Sequence, residues 1–133
     1  MTRIPETFHD LFEKQTFAHV ATLMSDDTPQ VTPVWIDYDA DRDRLLFNTA
    51  RGRLKARNLQ RNPKVGVSMT DPDDPYRFLS VRGEVDAMDE EGAVDHIDEL
   101  ARRYLDVEEY PNKGNEEGAR VIVEVRPDHV ATS

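Results

Sequence analysis

The spacing of apolar and polar residues changes several times along the chain, and each change marks an element. Phe8, Leu11 and Phe12 recur at i, i+3 and i+4 behind Pro5, so residues 5–14 are expected to form a short amphipathic helix. Residues 17–24 (FAHVATLM) and 30–38 (QVTPVWIDY) alternate around a turn at Asp26 to Pro29, the pattern of a hairpin. Pro33 lacks the N–H that a central strand needs, which puts the second run at an edge or a bulge, with backbone groups left for a ligand. Residues 44–49 (RLLFNT) read as a third strand, and Gly52 opens a helix that Pro63 ends. Strands return at 64–70 and 77–88 around the turn-rich DPDDPY, with Gly83 marking a bulge. Residues 90–105 place Ala93, Val94, Ile97, Leu100, Ala101, Tyr104 and Leu105 on one helical face and acids on the other. The last strand is 119–126 (ARVIVEVR). Six strands with turn-linked neighbours and no βαβ alternation predict one α+β domain over residues 1–133, mainly β, an antiparallel barrel with three short helices.

Composition narrows the chemistry. A chain of 133 residues has core enough for one domain only. Cysteine is absent, which removes disulfides, thiolate nucleophiles and cysteine-based zinc sites together. No apolar run approaches the ~18 residues of a membrane span, and MTRIPETFHD has no signal-peptide core, so a cytoplasmic protein is expected. Acids outnumber bases 27 to 17, with 13 Arg against 4 Lys. Such an acidic, lysine-poor surface suits a salt-rich, halophilic cytoplasm, where counterions screen its self-repulsion. P-loop, GxGxxG, GxSxG and HExxH motifs are missing. His9, His19, His96 and His129 are scattered and read as surface or interface histidines, so no metal is expected; Asp71, Asp73 and Asp74 sit among prolines, as in a rigid solvated turn.

Charge is distributed unevenly. From Arg51 to Lys64 (RGRLKARNLQRNPK) there are six bases and no acid, leaving 11 bases against 27 acids elsewhere. Either this is a helix whose cations pair with acidic neighbours, or it holds an anion such as phosphate, for which Arg offers bidentate donors. The junction NTARGRLKARN favours the second reading: a polar strand end precedes a helix whose first turn exposes N–H donors, with Arg53 and Lys55 placed to close over an anion. Arg57 and Arg61, four apart, extend the positive surface.

These residues resemble a known family, the split-barrel flavin reductases related to pyridoxamine 5′-phosphate oxidase, and in particular their deazaflavin (coenzyme F420)-dependent branch. The resemblance covers nearly the whole chain, through FAHVATLMSDDTPQVTPVWIDYD, NTARGRLKARNLQRNPKVGVSMTDPDDPYRFLSVRGEV and the closing helix with RVIVEV. It implies a six-stranded split β-barrel that forms a homodimer with cofactor sites between subunits. Arg53 and Lys55 would hold the cofactor phosphate, with Asn58 nearby. Gln30, Thr32, Pro33, Val34 and Trp35 would run along the flavin ring, Asn48, Thr49 and Ala50 would line its polar edge, and Tyr76 would close the pocket from the other subunit. The chemistry implied is hydride transfer to an electron-poor unsaturated small molecule, a step that needs orientation and exclusion of water more than a side-chain acid or base, so no catalytic residue is assigned. The chain ends soon after its last strand, without the substrate-binding C-terminal extension of the phosphate oxidases, which argues against pyridoxamine phosphate as substrate. Arg51, Arg57, Arg61 and Lys64 favour coenzyme F420, with its long anionic tail, over FMN.

Three other readings stand beside this one. The first is an FMN-binding reductase of the same fold. The second is a cofactor-free dimer that keeps the fold without the chemistry. The third is a nucleic-acid-binding module; against it, the basic segment contains no aromatic for base stacking and the rest of the chain would repel a polyanion. Neither nucleic acid nor membrane is expected as a partner.

Overall fold

The computed structural model describes residues 3–112 and 118–133. A 3-10 helix (Glu6–Phe12) leads into β1 (Phe17–Leu23) and β2 (Pro29–Trp35), then a short β3 (Asp37–Asp39) and β4 (Arg44–Ala50). Helix α1 (Leu54–Arg61) precedes β5 (Lys64–Asp71) and β6 (Asp74–Asp89), and α2 (Ala93–Leu105) precedes β7 (Arg120–Thr132). All ladders are antiparallel, in the order β2-β1-β5-β6-β7-β4-β3.

The two edge strands, β2 and β3, are consecutive in the chain and separated only by Ile36. One continuous run therefore swings from one edge of the sheet to the other, and the sheet must roll up to allow it. Its concave face carries one core, in which Val20, Val67, Leu79, Val123, Leu45 and Phe47 are all fully or almost fully buried. The fold is a split β-barrel of the α+β class. It has seven strands where six were expected, because the run 30–38 breaks at Ile36. That residue is fully buried, its N–H donates to the Tyr104 hydroxyl (3.1 Å), and its carbonyl accepts from Arg103 (2.9 Å). The same hydroxyl donates to Thr16 O, so α2 pins the corner from outside.

The expected edge position of Pro33 holds, since β2 pairs with β1 alone. The expected bulge at Gly83 holds as well: the β6–β7 register shifts between Arg82 and Gly83, and a Cβ on Gly83 would lie 1.9 Å from Arg126 O. Asn62, before Pro63, is extended and ends α1. Helix α2 begins after Gly92, which takes a positive φ of 78°, and buries Ala93, Ile97, Leu100, Ala101 and Tyr104, whereas Val94 and Leu105 are exposed.

Helix α2 packs against the convex side of β4 and β7, where Asn48 Nδ2 donates to Ala93 O (2.8 Å). The N-terminal helix is clamped to the β5–β6 hairpin by ions. Asp71, 5% exposed, accepts from Lys14 (2.9 Å) and Arg77 (2.8 Å), and Arg77 also reaches Asp10 (2.7 Å). The Asp73 N–H beside Asp71, together with those two cations, holds its carboxyl below the ordinary carboxylate range.

Candidate functional site

The split is where a site forms. β3 pairs only with Arg44 to Leu46, so from Phe47 to Ala50 no strand covers that edge of β4. Across the gap stands the outer edge of β2. A cleft of about 380 Å³ occupies this opening, lined by Pro33, Val34 and Trp35 from β2, by Asn48 and Thr49 from β4, and by Phe17 from β1. Ile97, Leu100 and Leu105 of α2 form a wall, and Arg53, Lys55 and Arg120 gather along it.

The cleft is amphipathic. Its apolar part is an aromatic stack in which Trp35 lies parallel to Tyr104 (5.2 Å between centroids, 9°), while Tyr110 meets Trp35 edge-on at 6.0 Å. Its polar part is cationic. The Arg120 guanidinium sits 4.8 Å over the Tyr110 ring and donates to Asn48 Oδ1 at 3.0 Å. Burial pushes the Lys55 ammonium below the ordinary lysine range, and Arg53 and then Arg120 add to the effect by repulsion. No carboxylate forms an ion pair with Lys55 or Arg53 among the described residues. Among the described residues the half-buried Lys55 ammonium has no carboxylate partner of its own, and a bound phosphate would supply one.

The structure brings together seven of the residues singled out from sequence: Pro33, Val34, Trp35, Asn48, Thr49, Arg53 and Lys55. Five others lie outside this cleft. Strand alternation turns Gln30 and Thr32 to the concave face beside Thr22 and Val20. Gln30 accepts a long 3.4 Å bond from Thr22, and buried Asn58 donates to the same Thr22 hydroxyl at 3.1 Å, so these amides tie α1 to the β1–β2 hairpin. Ala50 is fully buried at the end of β4. Tyr76 projects from the start of β6 at 86% exposure. Of the extra cations, Arg51 pairs with Glu90 (2.8 Å), Arg61 donates to Leu23 O (2.7 Å), and Lys64 lines a separate groove. None of the three enters the cleft, so they carry no argument for a long anionic tail there. Sequence reasoning missed Arg120 and Tyr110; Arg120 opens the last strand some 65 residues after Lys55, and only the β4–β7 pairing of Ala50 with Arg120 unites them.

A family model described as pyridoxamine 5′-phosphate oxidase matches residues 4–133, almost the entire chain. The chain belongs to that family. Among solved structures, an F420 reductase is 34% identical over 96% of this chain and 98% of its own, with a TM-score of 0.82. A conserved hypothetical protein from Mycobacterium tuberculosis (21%, covering 99% and 88%, TM-score 0.73) and a putative pyridoxamine 5′-phosphate oxidase from Listeria innocua (18%, covering 87% and 86%, TM-score 0.64) share the fold. No curated protein matches the chain. Within the described residues, no helix is long and apolar enough to cross a membrane and no cluster of candidate metal ligands occurs.

Proposed function

We propose that this pyridoxamine 5′-phosphate oxidase family member is a coenzyme F420-dependent oxidoreductase that reduces an electron-poor unsaturated small molecule. The observation that carries the reading is Lys55, a half-buried ammonium with its charge disfavoured, next to Arg53 and Arg120 at one end of a cleft whose other end is aromatic. This polarity suits a ligand with a phosphate at one end and a flat ring system at the other. When bound, a deazaflavin supplies the hydride; the protein's task is orientation and exclusion of water. Arg53 and Lys55 hold the phosphate, Arg120 adds a third cation, Pro33, Val34 and Trp35 form the apolar wall, and Asn48 and Thr49 present polar groups along it. The 34% identity to an F420 reductase favours the deazaflavin over FMN.

The working form is a homodimer. Among the described residues, helix α2 reaches the convex side of β1 and β2 only at Phe17 and Trp35, which meet Tyr104, and this side still exposes Phe17 (53%), Val31 (58%) and, on β6, Phe78 (39%). A groove of about 450 Å³ on this side is lined by Ala21, Leu23, Pro29 and Gly66 and rimmed by Lys64 and Arg82 as well as Glu84 and Asp128. Charges of both signs on one rim can pair with themselves across a two-fold axis. Phe17 and Val31 lie on this face, and Phe17 also lines the cleft, so a second copy would sit over the cleft's mouth and could bring the exposed Tyr76 to it.

Parallel fluorescence titrations with coenzyme F420 and with FMN, in molar salt, test the reading. Saturable F420 binding that is tighter than FMN binding is expected, and the reverse order would make the protein an FMN reductase of the same fold. Arg53→Ala with Lys55→Ala should weaken binding by several kcal/mol, each charge-assisted hydrogen bond contributing about 1.5–3 kcal/mol. Unchanged affinity in that double variant would remove the phosphate assignment.

A further inference from the structure

Behind the cationic end of the cleft lies a polar chain that starts at two of the cleft's lining residues, Arg120 and Asn48, and runs inward to His96 and Asp37. His96, on α2, is 7% exposed, and its two ring nitrogens each have one partner at 3.2 Å: Nε2 faces Asp37 Oδ2 and Nδ1 faces Asn48 Nδ2. Asn48 Nδ2 also donates to Ala93 O at 2.8 Å, while its Oδ1 accepts from Arg120 Nη1 at 3.0 Å. On the far side, Asp37 Oδ1 accepts from Arg103 Nη2 at 3.1 Å.

The hydrogen-bond partners fix the orientation of the Asn48 amide and the tautomer of His96. A guanidinium has no acceptor and a carbonyl has no donor, so the Asn48 amide can point only one way, with oxygen to Arg120 and nitrogen to Ala93. The amide nitrogen then faces His96 Nδ1, which must accept. The ring proton therefore sits on Nε2 and is donated to Asp37, whose carboxylate is also held by Arg103. The sequence is directional, from Arg120 to Asn48 to His96 to Asp37, and reversing any one member breaks its neighbours.

We propose that His96 is a positioning residue for the anion site: as the neutral Nε2–H tautomer it fixes the Asn48 amide, and through it aims the Arg120 guanidinium at the ligand's phosphate. The proposal rests on the reading of the cleft as the cofactor's phosphate site. His96 itself touches no ligand; it acts by removing the alternative orientation of Asn48, whose flip would turn an NH2 toward Arg120. Asp37 and Arg103 hold the imidazole, and Tyr110 supports the guanidinium from its other side.

The test is a double-mutant cycle read as FMN and inorganic phosphate affinity in the full-length protein. His96→Gln keeps a donor near Asp37 but removes the Nδ1 acceptor, and should weaken both ligands by about tenfold or more, the order of one charge-assisted hydrogen bond. His96→Asn, whose amide oxygen reaches the Nδ1 position, should recover most of that loss. In an Arg120→Ala background the His96→Gln substitution should cost nothing further. An equal loss in both backgrounds would mean that His96 only supports the fold, and an undiminished affinity in His96→Gln would overturn the proposal outright. Should the variants fail to fold, 15N spectra of the unsubstituted protein still decide it, since a protonated Nδ1 contradicts the chain. The Arg53/Lys55 double variant is the separate control: if it binds both ligands normally the phosphate site itself is misplaced, whereas if it loses them and His96→Gln does not, only the relay fails.

Discussion

At the scale of single residues, the proposed phosphate contact makes Lys55 a point where stability and binding are coupled. Its ammonium is disfavoured in the free protein by burial and by Arg53 and Arg120, so the folded state holds that proton less tightly than the unfolded chain does. The charge therefore opposes folding at neutral pH, and an arriving phosphate reverses the sign of its environment. Lys55→Met should raise the stability of the ligand-free protein by a few tenths to about 1 kcal/mol while weakening FMN or F420 binding at least tenfold, as thermal melts and titrations would show; a less stable variant would contradict the account. Because binding needs the protonated amine, affinity should fall as pH rises through the lowered folded value, which lies beneath the ~10.4 of an ordinary lysine. Affinity that stays flat until the pH has passed the ordinary lysine value of ~10.4 would mean the amine contributes nothing to the ligand. Arg53 and Lys55 were legible in the sequence because they sit two apart in a segment without acids, a pattern visible before any folding. Arg120 was not, because a lone arginine at the start of a strand looks like any other until β7 is laid against β4.

Elements were legible where local chemistry decides them and illegible where tertiary contacts do. Pro33 and Gly83 announced an edge and a bulge through backbone constraints of their own, and both are present. The break at Ile36 had no such signal, since QVTPVWIDY alternates straight through it; a tyrosine some seventy residues away makes the corner by bonding to the Ile36 N–H. Tyr104→Phe should thus leave the Ile36 and Thr16 backbone groups without their buried partner and cost about 1–3 kcal/mol in denaturant unfolding; a loss below a few tenths would show that the hydroxyl does not hold the corner. Gly83→Ala should be worse than an ordinary surface change, because the Cβ meets backbone and not a yielding side chain. The ion clamp at Asp71 predicts a pH dependence with a definite sign. Its carboxyl titrates lower in the folded state than in the unfolded chain, so its contribution is complete above the unfolded value of ~3.9 and fades as pH falls below it. Asp71→Asn should flatten the slope of stability against pH in that acidic window, and a slope equal to the parent's would exclude Asp71 as its source.

For the whole molecule, the unequal treatment of the two convex halves is the telling feature. Among the described residues, helix α2 packs on β4 and β7 and touches β1 only through the Phe17–Tyr104 ring contact, while Phe17, Val31 and Phe78 keep 53%, 58% and 39% of their surface exposed. On a chain with net charge −10, the proposed homodimer would bury this partly exposed apolar patch, which is bordered by charges of both signs. Self-repulsion opposes that assembly at low ionic strength, and counterions relieve it, so dimerisation should strengthen as salt is added. Val31 is 58% exposed in the single chain, so Val31→Glu should leave the protomer's fold intact while placing a carboxylate inside the contact. Light scattering in molar salt is then expected to give twice the 15.3 kDa chain mass for the parent and the single-chain mass for the variant. Since Phe17 belongs to both this patch and the cleft, the monomeric variant should also bind F420 more weakly. A variant that is monomeric yet binds with full affinity would show that one chain completes the site alone, and a parent that is monomeric in molar salt would remove the dimer.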